Sequence, residues 1–221
     1  MQSPNRRSGK VGRPPRLSRD AILTAAQRIL DEEGAECLSM RRLAKELSST
    51  PMALYHHVQD KDELLMLLLE AHAQGFPRPQ FPEQPRERLL AGAQVLHDIL
   101  ADCPWVVEVL ASDKFVSLSA MWIVENMVDA LIACGLSPDD AVYAYRVIWY
   151  YTVGELTVRF NRERTRGETA TPYRQRVMSS VTEADFPRLA VIGPRWVELT
   201  AVDNHRRGLE AVIDGLLAQN A

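Results

Sequence analysis

Apolar residues recur every three to four positions from the start of the patterned chain. Ile22, Ala25, Ala26, Ile29 and Leu30 share one helical face, and Met40, Leu43, Ala44 and Leu47 share another. Ser18 and Ser39 stand where N-caps belong, and Gly34 stops the first helix. Thr50 followed by Pro51 opens a third helix, with a capping hydroxyl and proline at the first helical position. That helix can run only to about Val58, because Asp60 and Glu63 form a capping pattern ahead of Leu64, Leu65, Leu67 and Leu68. None of these short helices could stand alone, so they must share a core. Short helices in quick succession, with a tight turn before the third, fit a helix-turn-helix module.

Pro77, Pro79, Pro82 and Pro85 then interrupt any regular helix. Beyond them only helical patterns occur, over roughly 86–101, 104–111, 115–134, 138–164, 172–182 and 194–219. Pro104, Gly135, Pro138 and Pro194 cut most of them apart, and 161–172 reads as a polar loop. No strand alternation or repeat appears. The expected fold is all-α: a flexible basic tail (1–17), a three-helix helix-turn-helix domain (18–75), a Pro-rich connection (76–85) and a larger helical domain (86–221) for ligand binding and dimerisation.

Composition narrows the class. With 46% hydrophobic and 25% charged residues in 221, the chain is an ordinary globular protein. It has no apolar leader and no apolar run that would span a bilayer, so a cytoplasmic location is expected. Three widely spaced cysteines, Cys37, Cys103 and Cys134, read as reduced thiols rather than a disulfide framework or zinc site. The net charge of −3 hides an asymmetry. The first nineteen residues hold six basic side chains and no acidic one, so the remainder carries −9. A basic arm on an acidic body attracts polyanions locally, although a solvated tail has the same charge. Within "KVGRPPR", Arg13 and Arg16 stand among Gly and Pro, a slim extended shape suited to a minor groove.

The stretch "STPMALYHHVQDKDE" (49–63) carries the most unusual surface. On a wheel of about 100° per residue, Leu54 and Val58 fall together toward the core. Met52 and His56 lie opposite, flanked by Ala53 and Tyr55. A two-turn helix that spends its outer face on such residues presents a surface that gets covered. His56 and His57 point about 100° apart and have no partner at ligand spacing, so no metal site is expected. Neither a catalytic motif nor a cofactor motif is present. Tyr55 could equally be a core aromatic. Lys61 sits at the positive end of a helix dipole, an unfavourable place unless Asp60 and Asp62 compensate or a phosphate arrives there.

Residues 18–71, and "LYHHVQDKDELL" most specifically, resemble the DNA-binding domain of TetR-type transcriptional regulators. The resemblance implies that the helix starting at Thr50 enters the major groove. Pro51, Met52 and Ala53 would approach base edges, and Tyr55, His56, His57 and Lys61 would touch the sugar-phosphate backbone. Arg41, on the preceding helix, would reach a base or phosphate. Where the family often carries a small polar residue, this chain has Met52 and Ala53, which implies apolar contact with thymine methyls.

For 86–221 the resemblance implies effector binding and dimerisation. Apolar residues circle most of the 138–160 helix, Val142 and Val153 among them, so it needs burial on more than one side. The last helix sets Leu209, Val212 and Leu216 beside a strip of small residues that includes Gly208 and Gly215. These residues are the expected four-helix dimer interface, with a purely intramolecular core as the alternative. Trp105, Trp122, Asn126, Tyr145, Arg146, Trp149 and Glu155 form the pool for a small, hydrophobic effector, although packing alone would also explain each of them. The expectation is thus a homodimeric, ligand-responsive repressor on palindromic operator DNA, and not an enzyme. The alternative, an all-helical carrier or enzyme with a vestigial N-terminal module, lacks a catalytic motif. A membrane-surface protein lacks the required amphipathic basic helix.

Overall fold

The computed structural model describes residues 17–164 and 173–219, and among these every regular element is helical. The chain divides into two compact units between Ala73 and Gln74. No helix among the described residues is long and apolar enough to cross a membrane.

The first unit contains α1 (Arg19–Glu33), α2 (Met40–Glu46), α3 (Pro51–Tyr55) and α4 (Lys61–Gln74). Local chemistry sets each boundary. The hydroxyl of Ser18 accepts from the Ala21 amide at 3.2 Å, that of Ser39 from Arg42 at 3.1 Å, and that of Thr50 from Ala53 at 3.3 Å. Asp60 accepts from the Glu63 amide at 2.8 Å, and the Glu63 carboxylate reaches back to the Gln59 amide. Gly34 ends α1 at φ 87°, its amide bonded to the Leu30 carbonyl. The turn between α2 and α3 is built differently. Ser49 N–H bonds to the Ala44 carbonyl and Ser48 N–H to that of Lys45, a Schellman arrangement that puts Ser48 at φ 49°. Glycine would occupy that conformation without a Cβ penalty, so serine there stores about 1 kcal/mol of strain. Ile22, Ala26, Leu43, Leu54 and Leu64 are completely buried at the centre of the unit.

In the second unit α5 (Pro85–Ala101), α7 (Met121–Ala133), α8 (Pro138–Arg164) and α12 (His205–Ala218) pack together, with α6 (Pro104–Leu110) against α5 and α8. Leu89, Ala93, Met127, Leu131, Ile148, Leu156 and Ile213 are sealed between them. Gly92 permits the close approach of α5 and α7, since a Cβ there would meet Asn126 Nδ2 at 2.8 Å. Arg86 ties α5 to Asp214 of α12 at 2.7 Å, and Arg88 ties it to Asp129 of α7 at 2.7 Å.

Residues 115–134 and 194–219 are not single helices. A 3-10 turn at Leu118–Ala120 precedes α7. The second span divides into a 3-10 turn (Gly193–Arg195), α11 (Trp196–Ala201) and α12. Between α11 and α12, Val202 is extended, Asp203 accepts from the His205 amide at 3.0 Å, and Asn204 donates to the Val202 carbonyl at 3.2 Å. Short polar side chains there offer the backbone an alternative to continued helix. Pro187 opens α10 (Pro187–Ile192), an element the apolar pattern leaves unannounced. α9 (Tyr173–Ser179) stops three residues before its expected end.

Candidate nucleic-acid interface and effector cavity

The five-residue α3 separates its duties by face. Leu54 is 0% exposed, whereas Met52 is 69% and Tyr55 46% exposed. Val58, just after the helix, is buried, which anchors its far end. Thr50, His56 and His57 are exposed, Pro51 and Ala53 are half-buried, and Arg41 on α2 is exposed. Arg13 and Arg16 lie outside the described residues. Lys61 has a structural partner: its ammonium donates to the Ala35 carbonyl at 2.9 Å. That bond gives the cation a reason to sit at the start of α4, and leaves two of its three N–H donors for other acceptors.

Among the clefts that the described residues of the second unit form, two open ones measure about 770 and about 730 Å³. The larger is lined by Gln94, His97, Asp98, Asp102, Arg159 and His205, among others, a mostly polar set. The other lies beside Tyr150, Tyr151, Glu155, Leu199, Val202 and, again, Arg159 and His205. Glu155 therefore lines a cleft. Trp105 is buried in the core, and Arg146 is held by Asp113 at 3.1 Å and by the Tyr150 hydroxyl at 2.8 Å. Trp122 is half-buried, its ring 6.3 Å from that of Phe81 and under the Arg78 guanidinium at 5.5 Å. Asn126, Tyr145 and Trp149 are half-buried on α7 and α8, and burial pushes the Tyr145 phenol up. The two clefts share Arg159, Asp203 and His205, and His97 lines the larger one; neither histidine stood out in the sequence. Each is 5% exposed, and their rings stack with centroids 3.5 Å apart. Burial pushes the His205 imidazole down, helped by neighbouring His97 and opposed by Glu155. No motif spacing signals them, since they come from separate helices.

The residues expected at a dimer interface divide. Val142 and Gly215 are exposed, and Val153 and Val212 are half-buried. Leu209 and Leu216 are buried within one chain. At Gly208 a Cβ would come 2.0 Å from the Tyr151 hydroxyl, so its missing side chain serves the subunit's own packing.

A capped head of four helices, one more than the three expected, with an outward-facing α3 and followed by a larger helical unit with clefts, defines a ligand-responsive helix-turn-helix transcriptional regulator. Residues 22–67 match the family described as bacterial regulatory proteins, tetR family, and 78–220 match the tetracyclin repressor-like C-terminal domain. The chain belongs to the TetR family. The HTH-type transcriptional repressor DrrR1 of Streptomyces coeruleorubidus is 31% identical, covering 93% of this chain and 79% of that protein. ActR of Streptomyces coelicolor, solved with actinorhodin, superposes with a TM-score of 0.74 at 27% identity, covering 93% of this chain and 99% of that one. BioQ, solved with its double-stranded DNA operator, does so with a TM-score of 0.60 at 28% identity, covering 92% and 99%.

Proposed function

We propose that the protein is a cytoplasmic homodimeric repressor that reads a near-palindromic operator through α3 and leaves it when a small effector binds the second unit. It performs no chemistry on the effector. The observation that carries this reading is the exposure of Met52 and Tyr55 on a helix whose one buried residue is Leu54. Met52 and Ala53 meet thymine methyls in the major groove, and Arg41, Tyr55, His56 and His57 hold the phosphates. Arg13 and Arg16 follow the adjacent minor groove. A second copy covers Val142, Tyr143, Tyr150 and Val158, all exposed along α8, together with Gly215 on α12. Two-fold symmetry then places the two α3 helices about one helical turn of DNA apart. An effector releases the operator by binding better to a state whose heads are differently spaced.

The test is selection from a random duplex library followed by footprinting. Wild type should return a palindrome. Tyr55→Ala should weaken binding to all sequences alike, whereas Met52→Ala should relax preference at one position per half-site, by about 1 kcal/mol. A wild type that enriches no site would refute the reading. ActR's solved complexes with actinorhodin and (S)-DNPA make those compounds the first effectors to screen.

A further inference from the structure

We propose that His97, Glu155 and His205 form a binding site for one divalent transition-metal ion of the zinc class, with a coordination position open to the adjoining clefts. The three side chains come from α5, α8 and α12, and their ligand atoms all lie within 4.8 Å of one another. His97 Nε2 is 3.2 Å and His205 Nδ1 4.0 Å from the same oxygen, Glu155 Oε2. Two imidazoles and a carboxylate are a ligand set that holds zinc while leaving a fourth position free.

A hydrogen-bonded histidine–glutamate pair explains only part of this arrangement. His97 Nδ1 is 3.2 Å from Asp98 Oδ1, so a neutral ring that donates there turns its lone pair on Nε2 toward the Glu155 carboxylate. A cation between those two atoms removes the repulsion. An imidazolium at His97 would also serve both carboxylates, but it leaves His205 unexplained. Both ring nitrogens of His205 are buried without a hydrogen-bond partner, although any imidazole carries at least one N–H and a neutral one also a lone pair. A metal ion takes that lone pair. Supporting contacts are also in place. Asp98 orients His97 as an outer carboxylate orients a metal-bound imidazole, and the Tyr151 hydroxyl holds the His205 carbonyl at 3.1 Å. Donors on a tetrahedral zinc lie about 3.3 Å apart, so the stacked rings must rotate to close on the ion.

The site does not depend on what the first unit reads, and its test needs no DNA. Full-length protein stripped with a chelator is equilibrated with Zn²⁺ alone, and bound metal is counted by atomic emission. One equivalent per chain is expected, with Zn²⁺ held far more tightly than Mg²⁺ or Ca²⁺. Glu155→Gln and His205→Asn should each weaken binding by about 100-fold or more at unchanged helical circular dichroism, and Asp98→Asn by about 10-fold with stoichiometry kept. If a ligand variant fails to fold, the Asp98→Asn shift still decides. Failure of the wild type to retain zinc, wild-type affinity in all three variants, or equal affinity for Mg²⁺ would overturn the proposal.

Discussion

Gly208 offers the sharpest test of how the second unit is packed. Replacing it by alanine in an ordinary helix would add about 0.5–1 kcal/mol of stability, because glycine loses more backbone freedom on folding. Here the new methyl would sit 2.0 Å from Tyr151 Oη and 2.8 Å from Cζ, well inside contact distance. The phenol ring must move, and with it goes the 3.1 Å bond from its hydroxyl to the His205 carbonyl. Overpacking of this kind costs about 1–3 kcal/mol, and the lost hydrogen bond about 0.5–1.5 kcal/mol. After subtracting the helix gain, Gly208→Ala should destabilise by about 0.5–4 kcal/mol. Gly154 on α8 is the control within a single chain, since a Cβ there meets nothing of that chain within 4 Å, and the melts are run dilute enough to dissociate the proposed dimer, whose second copy covers Tyr150 and Val158 on the same face. Gly154→Ala should therefore stabilise by about 0.5–1 kcal/mol. Thermal melts at one fixed protein concentration should move in opposite directions, by about 2–4 °C per kcal/mol. In a Tyr151→Ala background the Gly208→Ala penalty should vanish, giving a coupling energy of about 1 kcal/mol or more. If Gly208→Ala raised the melting temperature as Gly154→Ala does, the packing argument would be wrong.

Ser48→Gly should stabilise the first unit by a few tenths to about 1 kcal/mol in urea melts, because glycine relieves the φ of 49° at the α2–α3 turn while loosening the unfolded chain. A loss of stability on that change would show that the serine hydroxyl, not the backbone, decides the position. His72 supplies a pH dependence: burial pushes its imidazole below the ordinary value of 6.5, against the opposing pull of Asp31. The unfolded chain then binds the proton more readily, so stability is full above about pH 6.5 and falls as the pH drops below it, levelling off beneath the lowered folded value. Replacing His72 by Gln should flatten that part of the stability–pH curve, and an unchanged slope would place the titration elsewhere.

The first unit was readable because its determinants are local. Ser18, Ser39, Thr50 and Asp60 cap helices within three residues of themselves, and the spacing of Leu54 and Val58 alone identifies the inward face of α3. α8 runs from Pro138 to Arg164, as its proline start and unbroken pattern predict, so 161–164 belong to the helix and not to the expected polar loop, whose other residues lie outside the described ones. What escaped depends on distance in the chain. Trp105 differs from a ligand-binding tryptophan only through what surrounds it, and what surrounds it is core. Gly208 reads as a small residue suited to another subunit until Tyr151 of the same chain is placed over it. His97 and Glu155 lie 58 residues apart, and only the packing of α5, α8 and α12 brings them and His205 together. The break before α12 is a local signal of a weaker sort: Asp203 and Asn204 disfavour a helix interior by only a modest margin, and their competing hydrogen bonds appear only once the backbone turns.

Because Leu54 alone of the five α3 residues is buried, the helix keeps its architecture in one side chain and its outward chemistry in others. Substitutions at an exposed position such as Met52 usually change stability by less than about 0.5 kcal/mol. Such a layout lets descendants of one gene diverge in the operator they prefer without first acquiring mutations that restore the fold. Position 54 has no such freedom, and it should vary little however widely its outward neighbours drift.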